Sequence, residues 1–169
     1  MEYRIYVVNT KENEESGIWV KFPFDLMEVM GFLGLFPQDT EVQIKDYHLP
    51  FELSSTGYRM LLKLEAYGKA IKDIEGSALA DQFMAIARAF FSGNPSEVLK
   101  KRRFIHHYEI TNYEALAKKY CFYEKKIDQE FIEFIQLEKV VTHLQDKYNL
   151  LMTSNGLFHM EVAPFSFVN

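Results

Sequence analysis

His106 and His107 stand side by side, and imidazole nitrogens bind zinc or nickel, so this pair is the first place to look for a metal. On a strand, neighbouring side chains point to opposite faces, which separates the two rings. Glu130, Glu133, Glu138 and His143 offer ligands along one helix-forming stretch, yet no spacing among them gives Glu-x-x-His, and the chain has no His-Glu-x-x-His. They read as a solvated acidic face. Ser54, Ser55 and Ser92 lie near glycines, but none sits in Gly-x-Ser-x-Gly, and neither glycine-rich phosphate-binding pattern occurs. Glu14 and Glu15 are paired carboxylates in a loop, with no apolar pocket to raise a pKa for acid–base work. Cys121 is alone, so an intrachain disulfide and a cysteine-based zinc site are both excluded, and it reads as core filler. These residues predict no enzyme, no cofactor and no metal.

Charge is more informative. The net charge is −5, but it is unevenly spread. Residues 1–57 hold ten acids against four bases, and residues 127–169 hold six against two, whereas residues 96–126 hold four acids against eight bases. Asp39, Glu41, Asp46 and Glu52 in the first segment, and Glu130, Glu133 and Glu138 in the last, are the candidate acidic contacts. Lys100, Lys101, Arg102 and Arg103, supported by Lys118, Lys119, Lys125 and Lys126, are the candidate basic ones. Such a cluster binds phosphate, anionic lipid or an acidic partner, or is an ordinary solvated face with cations at helix C-termini.

Elements must hold these charges. Ile18, Val20 and Phe22 alternate with Trp19, Lys21 and Pro23, the period of a strand, and Tyr3–Asn9 and Glu41–Tyr47 are rich in β-formers. Together they predict a three-stranded sheet covered on one side by a short helix capped by Asp25, with Glu28 reaching back to the cap. After Tyr58 the period becomes 3.6, with Leu61, Leu62, Leu64, Ile71 and Ile74 mostly on one side as far as Gly76. Ser77 starts a second helix burying Leu79, Phe83, Met84, Ile86, Ala87, Phe90 and Phe91, and Ser96 starts a brief basic one. Phe104–Ile110 reads as a strand, Thr111-Asn-Tyr-Glu114 as a capping box, and about 128–148 as one helix burying Phe131, Phe134, Ile135, Val141 and Leu144. A closing hairpin turns at Ser154-Asn155-Gly156. The expectation is an α+β protein of three lobes: a sheet lobe with one helix at 1–57, a central helical bundle at 58–103, and helices on a small sheet at 104–169. An apolar content of 48% suffices for a core. No run of 18 uncharged apolar residues and no signal-peptide layout is present, which predicts a soluble cytoplasmic protein without membrane contact.

Arg4-Ile-Tyr-Val-Val-Asn9, Gly17-Ile-Trp-Val-Lys-Phe-Pro23 and Ile44-Lys-Asp-Tyr-His-Leu-Pro-Phe51, in that order and spacing, resemble the N-terminal domain of the ArdA antirestriction proteins. Thr153-Ser-Asn-Gly-Leu-Phe158 is similar to that family's final hairpin. The resemblance implies an elongated, dimeric, acidic protein carried by mobile DNA. Such a protein has no enzymatic activity and imitates bent duplex DNA to fill the DNA groove of type I restriction-modification enzymes. A duplex carries one negative charge per about 1.7 Å of axis, which is why an imitator spreads many carboxylates over a long surface. The basic segment departs from that pattern, because a positive groove repels it. Two alternatives stay open: an anti-CRISPR inhibitor of an RNA-guided nuclease, and an accessory protein of a mobile element that binds nucleic acid through residues 100–126.

Overall fold

The computed structural model describes residues 2–11, 17–36 and 38–161. The fold is α+β, with two small antiparallel sheets of three strands each among eight α-helices in the described residues. By its contacts the chain divides into two units, Met1–Phe83 and Met84–Asn169.

In the first unit, β1 (Arg4–Asn9) is the central strand between β2 (Gly17–Lys21) and β3 (Val42–His48), both antiparallel to it. Tyr6 pairs with Asp46 and Val7 with Ile44, so Lys45 is an extra residue that bulges β3. Strand alternation puts Ile5, Val7, Val20 and Ile44 on one face, all of them buried. The buried side chain of Asn9 donates to the Leu33 carbonyl (3.1 Å), tying the end of β1 to the helix that follows β2.

That helix, α1 (Leu26–Phe32), starts where Asp25 accepts from the amides of Met27 (2.7 Å) and Glu28 (3.3 Å), as the sequence predicted of its cap. Its first amide, Leu26, donates to Glu65 of α2 (Tyr58–Ile74) at 2.7 Å. Gly68 of α2 lies so close to Pro23 that an added Cβ would stand 3.2 Å from the proline ring. These contacts, with Met60, Leu61, Leu64, Ile71 and Ile74 buried, place α2 in the same unit as the sheet. An amphipathic helix of this kind covers the nearest apolar sheet face. Leu62, expected on the buried side, is 42% exposed.

A single turn, α3 (Ala78–Asp81), capped by Ser77, leads to α4 (Phe83–Phe91). The expected single helix is thus interrupted at Gln82, whose amide closes back onto α3. The second unit continues with α5 (Pro95–Lys101), started by Asn94 with Pro95 in the first turn rather than by Ser96. Its sheet runs β4 (Ile105–Tyr108), β6 (Gly156–Met160), β5 (Asn149–Thr153) in space, all antiparallel. Packed on it are α6 (Tyr113–Lys119), prolonged by a wider π-helical turn over Tyr120–Glu124 against which α7 (Gln129–Ile132) rests, and α8 (Leu137–Lys147). Ile110, Leu116, Tyr120, Leu144, Tyr148 and Leu157 form the core of this packing.

Two sequence expectations are corrected here. The helix cap is Asn112, whose side chain accepts from the Ala115 amide (2.8 Å), one residue later than the Thr111 box. Accordingly Asn112→Ala costs about 1 kcal/mol in urea denaturation, whereas Thr111→Ala leaves the midpoint nearly unchanged. The helix expected over 128–148 is broken at 133–136, and Phe131 and Phe134 are 54% and 83% exposed while Ile132 is buried. One straight helix would have put both phenylalanines in the core only by withdrawing Ile132 from it.

His159 is 1% exposed, on the central strand, with its ring 6.2 Å from His106 and 6.0 Å from Tyr148. Burial holds its pKa below the ordinary histidine value, and His106 pushes the same way while Glu161 opposes. The unfolded chain therefore takes up this proton near pH ~6.5, before the folded one does. Stability is unaffected by this group above that pH and falls as pH drops through it. Denaturation midpoints at about pH 7.5 and about pH 5.5 check this, and His159→Leu flattens the difference.

Candidate functional site

The acidic residues of the first unit fall into two groups. Asp39 and Glu41 share Lys11, at 2.9 and 3.5 Å, and the Phe36 amide also donates to Asp39 (2.7 Å). The Lys11 ammonium and that amide hold the Asp39 carboxyl below its usual range. This trio closes the entry to β3 as much as it presents charge. Further along, Asp46 is exposed beside the bulge, and Glu52 accepts a short hydrogen bond from the Tyr47 hydroxyl, which raises the pKa of that phenol.

In the second unit Glu130, Glu133 and Glu138 are all exposed, on α7, at its end and in the first turn of α8. The break between these helices brings Glu133 and Glu138 to one corner beside Glu114 of α6. Lys118 and Lys119 come to the same corner from α6, with Lys118 paired to Glu114 at 2.6 Å, so that Glu114 titrates low. Between them runs an open groove of about 510 Å³ lined by Phe122, Tyr123, Ile132 and Leu137, with Lys118, Lys119, Glu114 and Glu133 on the rim. Sequence reasoning passed over Phe122 and Tyr123 because the 3.6 period that buries Tyr120 and Cys121 sets them off the apolar stripe. On the π-helical turn they are 42% and 52% exposed.

The basic cluster is partly satisfied within its own helix. Lys100 pairs with Glu97 at 2.9 Å and Lys101 at 3.9 Å, which lowers the Glu97 pKa, and Lys101 also lies over the Phe91 ring (5.6 Å). Arg102 donates to the Leu99 carbonyl (2.9 Å), while Arg103 is exposed. At the end of α5 these cations complement the helix dipole.

The histidines do not converge. His106 Nε2 lies 3.1 Å from Glu161 and His107 Nε2 lies 2.7 Å from the Asn155 carbonyl. Among the described residues no group of three His, Cys, Asp or Glu side chains is arranged to hold a metal ion, and no helix is long and apolar enough to cross a membrane. What the arrangement offers is charge presented on exposed surfaces. No family model matches this chain, and no curated protein matches it in sequence.

Proposed function

We propose that this protein is a stoichiometric, non-enzymatic inhibitor of a host DNA-defence enzyme, with a type I restriction-modification complex as its first target, working in the cytoplasm as a homodimer. The observation that carries this reading is the set of exposed carboxylates on both units, Asp46 in the first and Glu130, Glu133 and Glu138 in the second. It is supported by the way the segments resembling ArdA come together: residues 4–9, 17–21 and 42–48 form one sheet. Asp39, Glu41 and Glu52 belong to the same surface set but are also tied to Lys11 and Tyr47, so neutralising them disturbs the fold as well as the charge.

The test follows from that distinction. Neutralising Asp46, Glu130, Glu133 and Glu138 together to amides weakens inhibition of DNA cleavage about tenfold or more, since each contact at an enzyme groove is worth up to ~1 kcal/mol. Stability moves little, because each site is exposed. A full loss of folding, or undiminished inhibition, contradicts the proposal.

A second reading has its own observation. Lys118 and Lys119 stand beside the exposed Phe122 and Tyr123, the combination of cations and aromatics that nucleic acid favours. On that reading the target is an RNA-guided nuclease or nucleic acid itself. Neutralising Lys100, Lys101, Arg102 and Arg103 then abolishes activity, whereas on the first reading it leaves inhibition unchanged or improves it.

A further inference from the structure

The face of the first sheet that turns away from Ile5, Val7, Val20 and Ile44 differs in character from the rest of its acidic unit. The register sets Arg4 opposite Lys21 on one side and opposite His48 on the other, a row of three nitrogen-bearing side chains across all three strands. The next row is Trp19, Tyr6 and Asp46. Trp19 packs against Tyr6 (5.3 Å) and reaches His48 (5.5 Å), with the Arg4 guanidinium 4.4 Å from its ring centre, yet it keeps 41% of its surface exposed.

Two features of this face are unfavourable to the fold alone. Like charges directly opposite on neighbouring strands destabilise a sheet, and Arg4 faces Lys21. Lys21 is relieved by Glu2 at 2.9 Å. Arg4 is not: among the described residues no acceptor takes a hydrogen bond from its guanidinium, whose one partner is the Trp19 ring. An arginine fixed by stacking, with its donor edge unused, is arranged for an anion with two oxygens to offer, such as a phosphate.

We propose that this face binds single-stranded nucleic acid, with the Lys21, Arg4 and His48 row taking the phosphate backbone and the Trp19 and Tyr6 row taking the bases. Strands lie about 4.8 Å apart, so the row of donors spans about 10 Å, enough for successive phosphates of one strand. The aromatic row supplies stacking surface that any base can use. Helices on the opposite face leave this one accessible to a flexible strand, whereas a stacked duplex hides its bases from the sheet.

Trp19 is the sole tryptophan, so its fluorescence reports this face directly. Titrating the full chain with an oligothymidylate of about a dozen nucleotides at low salt quenches Trp19, and the quenching weakens as salt rises. Duplex DNA of equal length quenches less. Measured by anisotropy of a labelled strand, Arg4→Gln and Trp19→Ala each weaken binding about tenfold or more, and Lys21→Gln, a change at an exposed side chain that leaves the sheet folded, weakens it several-fold. A variant neutralised at Lys100, Lys101, Arg102 and Arg103 keeps the Trp19 quenching, which separates this site from the basic segment. The proposal is overturned if no quenching appears up to about 100 µM strand, if an acidic phosphopeptide quenches as well as the oligonucleotide, or if Arg4→Gln and Lys21→Gln bind as the parent does.

Discussion

Gly156→Ala destabilises the protein by about 3 kcal/mol or more, the largest effect expected of so small a change. Gly156 opens β6 with φ at +123°, a backbone conformation that side chains rarely tolerate. An added Cβ would also lie 2.5 Å from the Tyr108 carbonyl oxygen and 2.8 Å from His107 Nε2 on the neighbouring strand. Strain and overlap each cost roughly 1–3 kcal/mol, and neither is relieved without parting β4 from β6. Urea denaturation followed by circular dichroism shows the loss as a lowered midpoint with an unchanged slope. A midpoint within the error of the parent refutes the packing described here.

The second large effect separates two adjacent leucines. Leu61 is fully buried in α2 and Leu62 is 42% exposed, so truncating the first leaves a cavity and truncating the second does not. Leu61→Ala is expected to cost about 2–5 kcal/mol and Leu62→Ala about 1 kcal/mol or less. Comparable losses at both positions contradict the orientation of α2.

The same pair shows what the sequence can tell and where it stops. Alternation at 18–22 and 42–44 identified the first sheet because its two faces differ in polarity, and that contrast survives without knowledge of the partner strands. Leu62 misled because one extra leucine widens the apolar stripe, and only the neighbouring element decides which edge of the stripe is covered. The break at 133–136 was hidden for a related reason: Phe131 and Phe134 look like core residues by hydropathy, but the helix pair buries Ile132 and Leu144 instead. At the final turn, Ser154-Asn155-Gly156 was legible as a hairpin, yet the glycine is demanded by the close approach of β4, a contact between residues nearly fifty apart in the chain.

For the candidate site, the identity of the charged residues was legible and their availability was not. Lys11 sits far from Asp39 and Glu41 in sequence and binds both. Glu97 takes up Lys100 and Lys101. The open-face row of Lys21, Arg4 and His48 exists only through strand register. Its one sequence trace is that Arg4, Tyr6, Trp19 and Lys21 alternate with the apolar residues.

The central claim is that exposed carboxylates occupy a groove built for DNA. Its most direct test is competition for a purified type I restriction enzyme between this protein and a labelled duplex containing the enzyme's recognition site. The account predicts that the protein displaces the duplex at a fixed stoichiometry, that raising the duplex concentration reverses the displacement, and that the variant neutralised at Asp46, Glu130, Glu133 and Glu138 needs about tenfold more protein or greater. Displacement that is insensitive to those four carboxylates but lost on neutralising Lys100, Lys101, Arg102 and Arg103 would contradict it.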